Sequence, residues 1–325
     1  MSRPPDNPFV RLAVEKPLGL DASDRYPAAG HLWSQSEIDA LILAWAARRP
    51  LLVRGEAGSG KSQIARAAAE VLGSQPLVEV IHPRFEALDL LYRVDSVGRL
   101  ADAHLQRLDE SNEKYVKRGR LWEAFARGEA AGAAPVLLVD EIDKADADVP
   151  NALLEVLGNR SFTVPPLNDR VVRAEAGRLP LVVITTNEER ELPPAFVRRC
   201  VVLNLNPPKD QAAFVKWLID RGSVHHHLDV ADTARRHAAG QVFDDRQAAV
   251  AAGYPPVGLA EYIDLLTALD ELTRDSLGPE RSARQLAWLQ RLSVYALVKN
   301  ADQPQDRPPK APMEAPAPEA GPKRP

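Results

Sequence analysis

Cysteine is almost absent from the sequence, and so are long apolar segments. The 325 residues include one cysteine, Cys200, which excludes a disulfide framework and is typical of a reducing compartment. No run of about 18 uninterrupted apolar residues occurs, so no membrane-spanning helix is expected. The opening segment MSRPPDNPFV lacks the apolar core of a secretion signal. We therefore expect a cytoplasmic protein with no membrane partner.

Neither sign of charge is in large excess. Lysine and arginine number 41 against 45 acidic residues, for a formal net charge of −4. Binding to nucleic acid through bulk charge is therefore not expected, and no helix-turn-helix or zinc-finger pattern is present. Apolar residues make up 45% of the chain, which is enough for a sizeable core. The length fits one or two domains.

Proline is concentrated at the two ends of the chain. Residues 1–30 contain five prolines and little periodicity, which predicts an extended N-terminal arm. Residues 301–325 contain eight, which predicts a disordered tail because such a segment buries too little apolar surface to offset chain ordering. Between them we predict an α/β domain over residues 31–206 and an all-helical domain over residues 207–300.

Five short apolar segments of the body predict buried strands. They are PLLVR, PLVEVIH, APVLLVDEID, RLPLVVITTNE and CVVLNLN. Helical patterns separate most of them, and short apolar strands alternating with helices are typical of a parallel sheet covered on both faces. Beyond residue 207 the predicted elements are amphipathic helices, in KDQAAFVKWLIDRG, LAEYIDLLTALDELTRD and SARQLAWLQRLSVYALVKN.

A glycine-rich segment between the first of these strands and an alanine-rich helix carries the strongest functional signal. GEAGSGKS fits the phosphate-loop pattern G-x-x-x-x-G-K-[ST] in its required context. Glycines let the backbone turn around phosphates, and the helix N-terminus attracts their charge. The pattern predicts ATP and Mg²⁺ as ligands, with the Lys61 ammonium on the β- and γ-phosphates and the Ser62 hydroxyl on Mg²⁺. The predicted nucleotide-binding residues are Gly55, Glu56, Ala57, Gly58, Ser59, Gly60, Lys61 and Ser62. The alternative is an ordinary glycine-rich surface turn.

A second signal lies 79 residues after Lys61, where the strand PVLLV ends in two acidic residues. Asp140 is predicted to hold Mg²⁺, directly or through water. Glu141 is predicted to polarise the attacking water as a general base. The alternative is a strand that ends in a solvated acidic turn.

These two motifs, together with a later strand that ends at Asn187, resemble an AAA+ ATPase. Two further regions resemble the MoxR branch of that family. They are the segment TTNEERELPPAFVRRC, and the segment ALDLLYRVDSVGRLADAHL followed by LWEAF. The resemblance extends over residues 32–300. It implies a P-loop NTPase of the AAA+ type, with a parallel-sheet α/β core and a small all-helical lid domain.

The resemblance also implies roles for residues after the fourth strand. Asn187 matches sensor 1, whose amide would hold the hydrolytic water. Arg199, with Arg198 as second choice, lies where AAA+ proteins place the arginine finger that enters a neighbouring subunit's site. The alternatives are an asparagine that ends a strand and starts a turn, and two solvated surface arginines.

One departure from the family concerns the lid. AAA+ lids usually present a sensor 2 arginine at the start of a lid helix, but the matching stretch GYPPVGLAEYIDLL contains none. Arg281 and Arg284 lie nearby without a clear alignment.

His82 ends the second strand, where the family often carries a polar residue that holds the catalytic glutamate away. A strand-end histidine with satisfied hydrogen bonds is the equal alternative.

Two excursions and a histidine run complete the motifs. Residues 84–134 are longer than a crossover needs, and they fit either a pore-facing insert or a solvated helical excursion. SFTVPPLNDRVVRAEAG predicts a hairpin before sensor 1. The run at His225–His227 lacks the pattern of a metal site and predicts a solvated helix end.

The function implied by the resemblance is ATP hydrolysis that drives remodelling or maturation of a partner protein. A homo-oligomeric ring is implied, with a hexamer as the family expectation, and a protein with a von Willebrand factor A domain is one implied partner. Two alternatives stay open: a slow nucleotide-dependent switch or scaffold, and a DNA-directed AAA+ motor. The acidic balance counts against the motor.

Overall fold

A computed structural model describes residues 7–23, 26–130, 134–175 and 179–297. The chain divides into two compact units between Asn206 and Pro207. The predicted tail over residues 301–325 lies outside the described residues, as do residues 1–6 and 24–25 of the predicted arm. Among the described helices, none combines the length and the apolar character that crossing a membrane requires.

The first unit alternates strands and helices. Its elements are β1 (Pro17–Leu20), β2 (Ala29–Leu32), α1 (Gln35–Ala47), β3 (Leu51–Gly55), α2 (Lys61–Val71), β4 (Leu77–Val80), β5 (Tyr92–Val94), α3 (Ser96–His104), β6 (Val116–Arg118), α4 (Arg120–Ala130), β7 (Val136–Asp140), α5 (Asp148–Asn159), β8 (Ser161–Val164), β9 (Arg170–Arg173), β10 (Leu181–Thr186), α6 (Pro194–Val197) and β11 (Val201–Leu205). Short 3-10 turns link several of these elements.

Five of the strands form one sheet in the order β11-β3-β10-β7-β4, and each neighbouring pair is parallel. These are the five strands that the apolar segments predict. Their carboxyl ends share one edge of the sheet, so the residues that follow β3, β7 and β10 lie at that edge. The predicted α/β fold with a parallel sheet and a helical C-terminal part is confirmed.

Both faces of the sheet are buried. Along β3, Leu52 belongs to the apolar cluster on one face, while Leu51 and Val53 belong to the cluster on the other. All three side chains are fully buried, which explains why the strand is a continuous apolar run instead of an alternating one. The alanines of α2 are buried in the second cluster, and their small size lets the helix lie close to the sheet.

The N-terminal segment differs from the extended arm that its prolines predict. β1 and β2 pair antiparallel, and Pro17 opens β1, a position at which the missing N–H is tolerated. Phe9 is fully buried and packs edge-on against Trp45, with ring centroids 5.8 Å apart. Burial of one aromatic side chain contributes about 2–3 kcal/mol to holding this segment on the core.

The two predicted excursions have defined structures. β5 pairs antiparallel with β6, and α3 lies between them in sequence without a buried residue. β8 pairs antiparallel with β9, as the hairpin prediction requires.

The second unit is helical in its described part. Its helices are α7 (Gln211–Ser223), α8 (Asp232–Ala251), α9 (Leu259–Glu271) and α10 (Gly278–Leu297). The sequence patterns predict α7, α9 and α10, but not α8, whose buried face consists largely of alanine. Arg235 of α8 is buried and donates to the carbonyls of Gly222, Leu228 and Val230, which fixes the loop between α7 and α8.

Candidate nucleotide-binding site

The loop between β3 and α2 has the backbone conformation that its glycines permit. Gly55, Gly58 and Gly60 have φ angles of 153°, 72° and 92°, which other residues rarely adopt. A Cβ on Gly55 would lie 2.7 Å from the Leu205 carbonyl oxygen and 3.2 Å from Ser59 Oγ. The Ser59 hydroxyl is buried without a hydrogen-bond partner among the described residues. A glycine cradle with an orphaned hydroxyl inside fits a phosphate group.

Lys61 is the first residue of α2, and its side chain turns back across the loop. Only 6% of the residue is exposed, and its ammonium donates to the carbonyls of Gly55 at 2.9 Å and Glu56 at 2.7 Å. Burial lowers the pKa of Lys61, while the carboxylates of Asp140, Asp143, Glu141 and Glu56 oppose that shift. The positive charge is thus held at the loop and faces a group of acids.

Asp140 is the last residue of β7 and accepts hydrogen bonds from two hydroxyl groups. Ser62 Oγ donates to Asp140 Oδ1 at 2.8 Å, and Thr185 Oγ1 donates to the same oxygen at 2.5 Å. A hydroxyl next to a carboxylate is the oxygen-donor set that Mg²⁺ prefers, so Ser62 and Asp140 fit the predicted metal ligands. Thr185 also accepts the main-chain N–H of Glu141 at 2.9 Å, and no sequence motif identifies this residue.

Glu141 follows β7 with a φ of 60°, which is uncommon for a residue with a side chain. Its carboxylate is engaged at both oxygens. Oε2 lies 2.6 Å from the ammonium of Lys144, and Oε1 accepts from Asn187 Nδ2 at 3.4 Å. The hydrogen bond to Glu141 raises the pKa of Lys144. The structure therefore brings the predicted general base and the predicted sensor 1 residue together, although 46 positions separate them.

Arg198 and Arg199 lie between α6 and β11, and both side chains are exposed. Neither forms a hydrogen bond or ion pair with a described side chain. Arg198 borders an open pocket with Arg54 and Glu188. The structure leaves both arginines at the surface instead of joining them to the phosphate loop.

His82 and the lid arginines have other partners. His82 Nδ1 accepts the main-chain N–H of Arg84 at 3.2 Å, and its ring packs edge-on against Phe85. His82 therefore lies two residues beyond β4, and its Nδ1 has a local main-chain partner. Arg281 is buried and lies 2.6 Å from Asp270. Arg284 pairs with Asp275 at 3.0 Å, so both arginines are held by acids of the second unit.

No group of three or more histidine, cysteine, aspartate or glutamate residues within the described ranges could hold a metal ion. The described ranges include the run at His225–His227, which follows the end of α7 at Ser223. His225 is half-buried, and burial lowers the pKa of its imidazole to about 4.

Residues 50–200 match the family model described as the AAA domain of the dynein-related subfamily. The chaperone protein ClpB 1 of Nostoc sp. is 32% identical over 139 residues. That alignment covers 42% of this chain but only 13% of the chaperone, so this chain spans a small part of that relative.

Two solved structures align with this chain at low identity. The RuvB Holliday junction branch migration motor of Thermotoga maritima aligns with a TM-score of 0.40 at 16% identity, over 80% of this chain and 69% of that one. NtrX from Brucella abortus aligns with a TM-score of 0.41 at 15% identity, over 70% and 47%. The MoxR branch stays a prediction. Residues 50–200, which include the phosphate loop, therefore match an AAA domain, and the five-stranded parallel sheet fits the P-loop α/β fold of that domain.

Proposed function

We propose that this protein hydrolyses ATP as a MoxR-like AAA+ ATPase and uses the energy to remodel or mature a partner protein. The observation that carries the proposal is the convergence of Ser62, Asp140, Glu141 and Asn187 at the carboxyl edge of the sheet. A phosphate loop alone binds nucleotide. A carboxylate beside an amide, next to that loop, adds the means to activate and orient water.

The chemistry follows from the groups in place. The loop N–H groups and the Lys61 ammonium bind the phosphates, and Ser62 with Asp140 would hold Mg²⁺. Bound Mg²⁺ would withdraw charge from the phosphate oxygens. Glu141 accepts a proton from water while the Asn187 amide keeps the carboxylate and the water aligned. Glu141 and Asn187 directly follow the buried, paired strands β7 and β10, so the sheet sets their separation.

In this proposal residues 31–206 bind and hydrolyse the nucleotide, and residues 207–300 are the lid. Arg199, or Arg198 in second place, completes the site of a neighbouring subunit, which explains why both side chains are exposed and unpaired among described residues. The assembly is a ring, with six subunits as the expectation. The partner is a protein, such as one with a von Willebrand factor A domain, and not a nucleic acid.

The experiment that tests the proposal is ATP turnover per subunit over a range of protein concentrations. Arg199→Ala is run in parallel, with Arg236→Ala as the control because it is another exposed arginine. We expect cooperative dependence on concentration and a loss of at least about 100-fold in Arg199→Ala, since trans-acting arginines contribute on the order of 10³–10⁵ in GTPases. Turnover that is independent of concentration and of Arg199 would contradict the shared site.

A slow nucleotide switch is the second candidate, and the 2.6 Å contact between Lys144 and Glu141 favours it. Both oxygens of the carboxylate are engaged, so the contact must be broken or shared before the base accepts a proton. Single-turnover decay of bound ATP separates the two functions. A remodelling enzyme completes turnover in seconds, while a switch holds ATP for many minutes and accelerates when Lys144→Met frees the carboxylate.

A further inference from the structure

Asp143 is the most buried carboxylate near the site, with 2% of the residue exposed. It forms no ion pair with a described residue. Instead its Oδ1 accepts the main-chain N–H of Asn187 at 3.4 Å, and its Oδ2 accepts that of Glu189 at 2.9 Å. A buried charge is costly unless it is hydrogen-bonded, so this carboxylate and the loop after β10 depend on each other.

The loop has the shape that such an acceptor requires. Glu188, between the two donors, has a φ of 61°, and its own N–H donates to Thr186 Oγ1 at 2.9 Å. A residue in this left-handed conformation lets neighbouring N–H groups converge on one anion. The conformation is unfavourable for glutamate, and it persists only where surrounding contacts determine it. The two hydrogen bonds to Asp143 are among those contacts.

The turn that carries Asp143 also carries Glu141. Glu141 has a φ of 60° and precedes the 3-10 turn Ile142–Lys144. From this turn, Glu141 contacts the side chain of Asn187 and Asp143 contacts its main chain. Asn187 is therefore held at its backbone by one acid and at its amide by the other.

We propose that Asp143 is a positioning residue for ATP hydrolysis. Its buried carboxylate fixes the backbone of residues 187–189 and so sets the Asn187 amide beside Glu141. Asp143 does not touch the reacting groups and acts through Asn187. The inference rests on the proposed function, because it assigns Asn187 and Glu141 their roles in hydrolysis.

Asp143→Asn is the direct test. The amide keeps one acceptor oxygen and places an N–H₂ donor against one of the two backbone N–H groups, so one hydrogen bond is lost. We expect kcat to fall about 10- to 100-fold, since a misplaced orienting group costs this order of rate. We expect KM for ATP and the Kd of a fluorescent ATP analogue to change less than about threefold. The matched control is Asp146→Asn, whose side chain is 85% exposed.

A double-mutant cycle with Asn187→Ala tests whether Asp143 acts through Asn187. The loss caused by Asp143→Asn should disappear when Asn187 is already alanine. The same fold-loss in both backgrounds would overturn the inference, because it would show that Asp143 acts by another route.

A second pair of variants leaves Asp143 unchanged. It tests the same inference if the Asp143→Asn variant does not fold. Glu189→Pro removes the N–H that donates to Asp143 and disfavours the left-handed conformation of Glu188, whereas Glu189→Ala keeps the N–H. Glu189 is exposed, so both variants should fold. The proline variant should lose kcat and the alanine variant should not. Equal turnover in the two variants would overturn the inference.

Hydrogen exchange gives a readout that does not depend on turnover. The amides of Asn187 and Glu189 should lose protection in Asp143→Asn while the amides within β10 keep theirs. Unchanged protection at both amides would overturn the inference even if hydrolysis is normal. If the wild-type chain hydrolyses no ATP, the proposed function fails, and the exchange data still decide whether Asp143 holds the loop.

Discussion

Replacing Thr185 by valine should destabilise the protein, although the shape of the side chain is preserved. Thr185 is fully buried, and its hydroxyl donates to Asp140 and accepts the main-chain N–H of Glu141. Loss of a hydrogen bond to a charged group costs about 1.5–3 kcal/mol, and a stranded main-chain donor costs about 1–3 kcal/mol. Because Asp140 keeps its bond from Ser62, we expect a total loss of about 2–4 kcal/mol in the free energy of unfolding.

Urea unfolding followed by far-UV circular dichroism measures this loss. Thr185→Ser is the matched control, since it keeps the hydroxyl and removes one methyl group, which costs about 1 kcal/mol. At roughly 2–4 °C per kcal/mol, the valine variant should melt about 5–15 °C below wild type. A neutral substitution ordinarily changes the free energy of unfolding by up to about 0.5 kcal/mol. The role assigned to the hydroxyl would be refuted if the valine variant lies within this range of wild type. It would also be refuted if the serine variant is destabilised as much as the valine variant.

Three further predictions concern stability and reactivity. Gly222→Ala should lower the free energy of unfolding by about 1–3 kcal/mol in urea, because the new Cβ would lie 2.7 Å from the Tyr262 ring, which outweighs the better helix propensity of alanine. Cys200 should react with iodoacetamide at pH 8 at least about 100-fold more slowly in the native protein than in urea, because burial raises the pKa of its thiol to about 12; equal rates would contradict that burial. Burial lowers the pKa of His225 to about 4 from its ordinary 6.5, so the unfolded chain binds the proton first and stability should fall by about 2 kcal/mol as the pH drops between these values. His225→Gln should flatten this dependence, whereas His104→Gln, at an exposed position outside the second unit, should leave it unchanged.

The sheet and the phosphate loop could be predicted from the sequence because their signals are local. Each strand of a doubly covered parallel sheet is a continuous apolar run, and the loop has a fixed spacing of glycine, lysine and serine. Asp140 and Glu141 are recognisable for the same reason, since they end such a run. The parallel topology then places the ends of β7 and β10 at one edge, which brings Glu141 close to Asn187.

Other parts of the site could not be predicted, because their partners are distant in the chain. Thr185 and Asp143 have ordinary local patterns, and only the pairing of β7 with β10 places them against residues 44 to 46 positions away. The pairing of β1 with β2 and the burial of Phe9 could not be predicted from a proline-rich composition, because composition does not report which distant residues a segment contacts. In α8 the buried residues are mainly alanines, which give little apolar contrast.

The order of strands in the sheet also has a consequence for how the protein is made. β3 leads into the phosphate loop, and its two neighbours, β10 and β11, are both translated much later: Val53 pairs in register with Thr185, 132 positions along the chain. At about 5–20 residues per second, the ribosome needs roughly 7–26 seconds to cover that distance. During this time β3, which leads into the glycine loop, lacks both of its neighbouring strands, and Glu141 lacks its hydrogen bond from Asn187. A nascent chain that is released before β10 emerges therefore carries the phosphate-loop sequence without a nucleotide site.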